Sequence, residues 1–198
     1  MHDVTDPDVA EGQPVTEMYW PETYKEVIRN EVKRAVVPKL ARSRDLRKVY
    51  AKRFADDYDS LESFADRIGD MVVIGAENGA DDAFDNIYTA FVTDSPPPKA
   101  MGYARYYWPG SLLQPTQKDI HRVVAADYSQ ERSYRSQYEH HYVSSYRDFD
   151  EFINAVADSV VTGAVNGADD MLGQIYRSFL TLLPLPPARR HSRRVKGW

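Results

Sequence analysis

An octapeptide occurs twice, almost unchanged: "GAENGADD" at residues 75–82 and "GAVNGADD" 88 residues later, at 163–170. The same offset, without a gap, brings "YWP" at 19–21 onto "YWP" at 107–109, and Arg34 and Val36 onto Arg122 and Val124. It also aligns Arg44, Arg47 and Tyr50 with Arg132, Arg135 and Tyr138, and Tyr58 and Phe64 with Tyr146 and Phe152. Ile87, Tyr88 and Phe91 meet Ile175, Tyr176 and Phe179, and each copy closes in a proline cluster, "SPPPK" at 95–99 and "LPLPPA" at 183–188. This pattern reads as a tandem duplication of a unit of about 88 residues. Two such copies are too few and too long for a solenoid array. The expectation is therefore two homologous halves packed about a pseudo-two-fold axis, each presenting the same patch to the other. The division that follows is an acidic N-terminal arm (1–18), repeat 1 (19–98), a linker (99–106), repeat 2 (107–186) and a basic C-terminal arm (187–198).

Within each copy the apolar residues recur at helical spacing. "PETYKEVIRNEVKRAVV" offers Pro21 as a first helical residue, acids in the first turn and bases in the last, with Pro38 as the stop. "SRDLRKVYAKRFADDY" opens on a capping serine and spaces Leu46, Val49, Tyr50 and Phe54 by three and four. Leu61, Phe64, Ala65, Ile68 and Val72 form one face of the next segment, and Phe84, Ile87, Tyr88 and Phe91 continue it. Alternation of strand type is nowhere sustained. The fold class is all-α, with about four helices per half, and Pro115 is expected to delay the first helix of the second half to about Thr116.

The repeated peptide admits three physical readings. In the first it lies within one long helix from near Asp59 to Val92, and Gly75, Gly79, Gly163 and Gly167 form a small-xxx-small face that lets two backbones meet. That motif is best known from membrane helices and is applied here by analogy. A glycine inside a helix costs about 1 kcal/mol relative to alanine, so two per copy call for a packing purpose. In the second reading Gly75 ends one helix and Asn78 caps the next, with Asp81 and Asp82 in its positive first turn. In the third, Asn78, Asp81, Asp82, Asn166, Asp169 and Asp170 supply hard oxygen ligands to Mg²⁺ or Ca²⁺ across the axis, as a metal-dependent phosphohydrolase would need. Oxygen-only patterns have low specificity, and the E-x-x-E pattern of the all-α nucleotide pyrophosphatases is missing. Packing or capping is the reading adopted, with no metal and no cofactor.

Tyr134, Tyr138, Tyr142 and Tyr146 recur every fourth residue beside Arg132, Arg135 and Arg147. Aromatics interleaved with bases can stack on nucleobases, but the same spacing buries one helix face, and the buried reading is preferred. His140 and His141 point about 100° apart on a helix, which suits surface or interface residues better than shared metal ligation. No H-E-x-x-H, E-x-x-H, Walker A, G-x-G-x-x-G or G-x-S-x-G motif occurs. The absence of cysteine excludes disulfides and thiolate sites. The longest apolar run, "MVVIGA", is far short of a membrane span.

The ends carry opposite charge. The first twenty residues hold five acids and no Lys or Arg, whereas Arg189, Arg190, Arg193, Arg194 and Lys196 precede Trp198 without an acid. These arms point to self-association or to other protein subunits, with nucleic acid as an alternative partner of the basic arm and no membrane partner. The functional expectation is a non-enzymatic structural or assembly protein working within a larger oligomer, cytoplasmic or virion-borne and not secreted, of which a phage-type component is one form.

Overall fold

The computed structural model describes residues 23–93, 95, 110–187 and 189, and among these every regular element is helical. In order they are α1 (Thr23–Arg42), α2 (Arg44–Arg53), α3 (Leu61–Val92), α4 (Gly110–Gln130), α5 (Arg132–Gln137) with a π-helical turn at Tyr138–Tyr142, and α6 (Phe149–Thr181). The N-terminal arm, both "YWP" segments with Pro21, and the linker at 99–106 lie outside the described residues.

Among the described residues three helices, not four, make up each half, the second half adding the π-helical turn. The repeated peptide does not interrupt its helix. α3 runs for 32 residues and α6 for 33, about 48 Å each at 1.5 Å per residue. The reason is phase: at 100° per residue Leu61, Phe64, Ile68, Val72, Gly75, Gly79 and Ala83 fall within an arc of about 100°, so breaking the helix at Gly75 would have turned the second glycine out of that stripe. Pro38 does not stop α1, which continues to Arg42. A helical proline forfeits one backbone bond, and the burial of Leu40, 4 % exposed, supports the extra turn. Pro115 likewise falls inside α4, which begins at Gly110 and not near Thr116.

Capping chemistry sets the other boundaries. The Ser43 hydroxyl accepts a hydrogen bond from the Leu46 amide at 3.2 Å and starts α2. Ser60 accepts from the Ser63 amide at 3.0 Å to start α3, and at the offset of 88 residues Asp148 accepts from the Glu151 amide at 2.9 Å to start α6. Each cap satisfies a donor that the first helical turn leaves orphaned.

The long helices close a ring. α3 and α6 share the largest interface, α1 lies on α3, α4 lies on α6, and α1 meets α4. The ion pairs of Lys25 with Asp81 and of Lys33 with Asp66 and Asp70 show that α1 and α3 run antiparallel. Two aromatic clusters seal the ends of the α3–α6 interface. Phe64, fully buried, stacks on Phe54 at 4.8 Å and meets Tyr58 at 5.1 Å and Phe179 of α6 at 6.3 Å. At the other end Phe152, also fully buried, stacks on Tyr142 at 5.4 Å and meets Tyr146 at 5.5 Å and Phe91 of α3 at 6.0 Å. Burying one phenyl ring is worth about 1.5–3 kcal/mol. No described helix is long and apolar enough to cross a membrane.

Candidate functional site

The glycines of the two octapeptides face one another where α3 and α6 meet. A Cβ at Gly75 would come within 2.5 Å of the Gly167 carbonyl oxygen and 2.7 Å of the Met171 Cβ. A Cβ at Gly79 would collide with the Gly163 carbonyl oxygen, one at Gly163 with that of Gly79, and one at Gly167 with that of Gly75. The obstacles are main-chain atoms, which cannot swing aside. Backbone therefore lies on backbone over a full turn of each helix, and the alanines beside the glycines complete the seam: Ala76 and Ala164 are each 1 % exposed, Ala80 and Ala168 fully buried.

The polar residues of the octapeptides point elsewhere. Asp81 turns towards α1 and sits 3.7 Å from the Lys25 ammonium. Asp82, 100° further round the helix, is exposed. Glu77 is 2 % exposed, with its carboxylate 3.8 Å from the Arg29 guanidinium. The corresponding position in the second copy is Val165, buried among apolar neighbours. Asp169 is buried, Asp170 is exposed and Asn166 is half-buried. The Asn78 amide donates to the Arg189 carbonyl at 2.8 Å. The six residues of the metal reading are thus dispersed over different faces, and among the described residues no group of three or more His, Asp or Glu is placed to hold a metal ion.

Other matched positions hold matched partners. Lys33 bonds Asp70 at 2.7 Å, and the residues 88 further on, His121 and Asp158, approach to 3.3 Å. Lys33 is raised above the ordinary lysine range, chiefly by its hydrogen bond to Asp70 and against the opposing effect of burial, with Asp66 adding to the rise. Arg34 pairs with Glu31 and Arg122 with Asp119, each one turn away.

The tyrosine series belongs to the core. Tyr134 is fully buried and Tyr142 is 2 % exposed, while Tyr138 and Tyr146 are half-buried. Tyr134 stacks on Tyr128 at 4.6 Å, and burial drives its phenol well above the usual range, with Glu131 adding to the rise. The Tyr142 hydroxyl donates to the Ser95 carbonyl at 3.2 Å. His140 and His141 are both exposed, and a His140 ring nitrogen lies 2.7 Å from the Ser136 carbonyl one turn back.

Past the end of α6 the chain is held by residues of the first half. Arg53 donates to the Ser178 carbonyl at 3.0 Å and to the Leu183 carbonyl at 2.8 Å, and Leu182 takes a left-handed conformation at φ 57° that ends the helix. Leu180, Leu182 and Leu183 are 85 %, 66 % and 56 % exposed, while Leu185 folds back against the core. The chain then reaches Asn78 through Arg189. Arg190, Arg193, Arg194, Lys196 and Trp198 lie outside the described residues. The exposed leucines follow no periodic pattern in the sequence: Leu183 opens the closing proline cluster, and the left-handed turn at Leu182 follows no glycine.

Compared with protein-family patterns, curated proteins and solved structures, the chain matches none of them.

Proposed function

We propose that this chain is a non-enzymatic helical assembly protein, built from two homologous halves related by a pseudo-two-fold axis and acting within a larger oligomer of its own copies. The duplication is supported by the identities at an offset of 88 residues and by the matched caps, ion pairs and aromatic clusters of the two halves. The repeated octapeptide then needs no ligand to explain it, since its small residues are spent in joining α3 to α6. The reading fits a cytoplasmic or virion-type setting.

The observation that carries the proposal is the apolar end of α6. Leu180, Leu182 and Leu183 are more than half exposed, and Val143 is the one other exposed large hydrophobic residue among those described. Clustered exposed leucines mark contact surfaces. These are also held in place beforehand, because Arg53 fixes the carbonyls of Ser178 and Leu183, which lowers the ordering cost of docking. Light scattering should give a mass that is a multiple of 22.7 kDa. The triple substitution L180S/L182S/L183S should return it to a monomer with unchanged helicity. A wild-type protein that stays monomeric at high concentration would overturn the proposal.

A further inference from the structure

Between Lys39 and Arg53 the chain carries seven Lys or Arg against one acid, Asp45, although its formal net charge is −5. Lys39 and Arg42 close the last turn of α1, and Arg44, Arg47, Lys48 and Lys52 follow on α2; all six are exposed. At 100° per residue the four cations of α2 share one side of the helix. Leu46, Val49 and Tyr50 occupy the other side, where Leu46 is buried. Arg44, Lys48 and Lys52 recur every fourth residue, about 6 Å apart along the axis. Among the described residues none of these six cations forms an ion pair.

Helix stability accounts for only part of this row. Lys39, Arg42 and Lys52 stand in last turns, where the dipole favours cations, but Arg44 and Arg47 stand in the first turn of α2, where the positive end of the dipole opposes them. The shared architecture does not require the row either. At the offset of 88 residues the six positions are Asp127, Gln130, Arg132, Arg135, Ser136 and His140, and the Arg135 guanidinium is engaged 4.2 Å over the Phe149 ring. The second half builds the same corner with two of the six cations and an acid at a third position, so the full row serves something outside the fold.

We propose that the cationic face of Lys39, Arg42, Arg44, Arg47, Lys48 and Lys52 binds the phosphate backbone of a nucleic acid without reading its bases. A single file of cations suits a polyanion whose charges are strung along a line. An anionic membrane is disfavoured by geometry. The apolar residues that could anchor there, Leu182 and Leu183, adjoin Arg53, which lies half a turn round α2 from Arg44, so one plane cannot engage both sets. On the cationic face itself the one apolar residue is Ala51. This inference is independent of the leucine-mediated assembly and uses none of its residues.

The test uses the full chain and a labelled 20-base-pair duplex of random sequence, with fluorescence anisotropy read at about 50–200 mM salt. The wild type should bind with an affinity that falls steeply as salt rises. R44Q/R47Q/K48Q/K52Q should bind at least about tenfold more weakly at the lowest salt. Its log–log salt slope should be shallower by about 3–4, since each phosphate left without its cation removes about 0.9 from the slope. K48Q/K52Q, a milder change, should show about half of that reduction, and K118Q/R122Q on α4 should match the wild type. Unchanged binding by both α2 variants, alongside abolished binding in R190Q/R193Q/R194Q/K196Q, would assign the affinity to the tail and overturn the proposal. Absence of duplex binding by the wild type at low salt, or capture by phosphatidylserine vesicles in its place, would overturn it equally.

Discussion

Adding one carbon at Gly79 sets a gain in helix propensity of about 1 kcal/mol against overlap with the main chain of α6. The new methyl would collide with the Gly163 carbonyl oxygen and lie 2.9 Å from the Gly163 carbonyl carbon and 3.0 Å from the Gly167 Cα. Relief requires the two helices to separate, which also loosens the alanines packed along the seam. Overpacking a side-chain core costs about 1–3 kcal/mol, and an obstacle of backbone belongs at the upper end. Gly79→Ala should therefore lower stability by at least about 2 kcal/mol and the melting temperature by about 4–8 °C. The urea midpoint should fall at unchanged slope. Gly69 provides the contrast. A Cβ there would meet the Val37 Cγ2 at 2.5 Å and the Lys33 Cγ at 3.8 Å, both side-chain atoms of α1 that can shift. Gly69→Ala should stay within about 1 kcal/mol of the wild type, and an equal loss at both sites would remove the backbone-contact explanation. The four-residue spacing of the glycines and their recurrence made this seam legible in the sequence. The neighbours of Glu77 and Asp81 were not legible, because Arg29 and Lys25 reach them from a helix some fifty residues away and no local pattern encodes that pairing.

Two matched helix starts respond differently to acid because one cap is a hydroxyl and the other a carboxylate. Ser60→Ala should cost about 1 kcal/mol, the usual value of a missing cap, independently of pH. Asp148 is held below its ordinary value of 3.8, first by the hydrogen bond from the Glu151 amide and then by the Arg147 guanidinium. Its folded form thus binds protons less readily than the unfolded chain. Its contribution is fully present above the ordinary value and is lost as pH falls through the depressed one. Asp148→Ser keeps a capping oxygen that does not titrate. Denaturant unfolding of both proteins, from about pH 6 down to about pH 2, should show the wild-type advantage shrinking below about pH 4. A constant difference would mean that the charge adds nothing to the cap. At this scale the sequence was legible at the Ser43 cap, which follows from residue type and position, whereas the Ser60 cap became visible only in the structure. The sequence misled at Pro38 and Pro115, where local propensity argues for a break but the core offers enough apolar contact to carry each helix across. The choice between a continuous helix and a helical hairpin at the octapeptide turned on phase over more than twenty residues, a longer range than capping rules consider.

No long helix can bury its apolar stripe within its own half. α3 needs α6 along the glycine seam, and α1 needs α4 as well as α3. Phe64 of the first half packs on Phe179 of the second, and Phe91 of the first on Phe152 of the second. A chain cut in the linker should therefore yield two peptides that cannot melt cooperatively as monomers. The separated first half would expose Gly75, Gly79, Phe64 and Phe91 together, a surface too apolar to remain solvated. It has two escapes. It can pair with a second copy of itself, imitating the whole molecule, or it can capture the second half. Capture should win, because Arg53 holds the carbonyls of Ser178 and Leu183 only across the hetero-pair, and because Tyr128 and Tyr134 of the second half meet Phe84 and Phe91 of the first. Equimolar mixing of residues 1–98 with residues 99–198 should restore the helicity and single transition of the intact chain, with sedimentation reporting a one-to-one complex. Cooperative melting of either peptide as a monomer, at the temperature of the intact protein, would mean that the halves are independent domains. In that case the glycine seam would be a contact between finished folds, not the junction on which both depend.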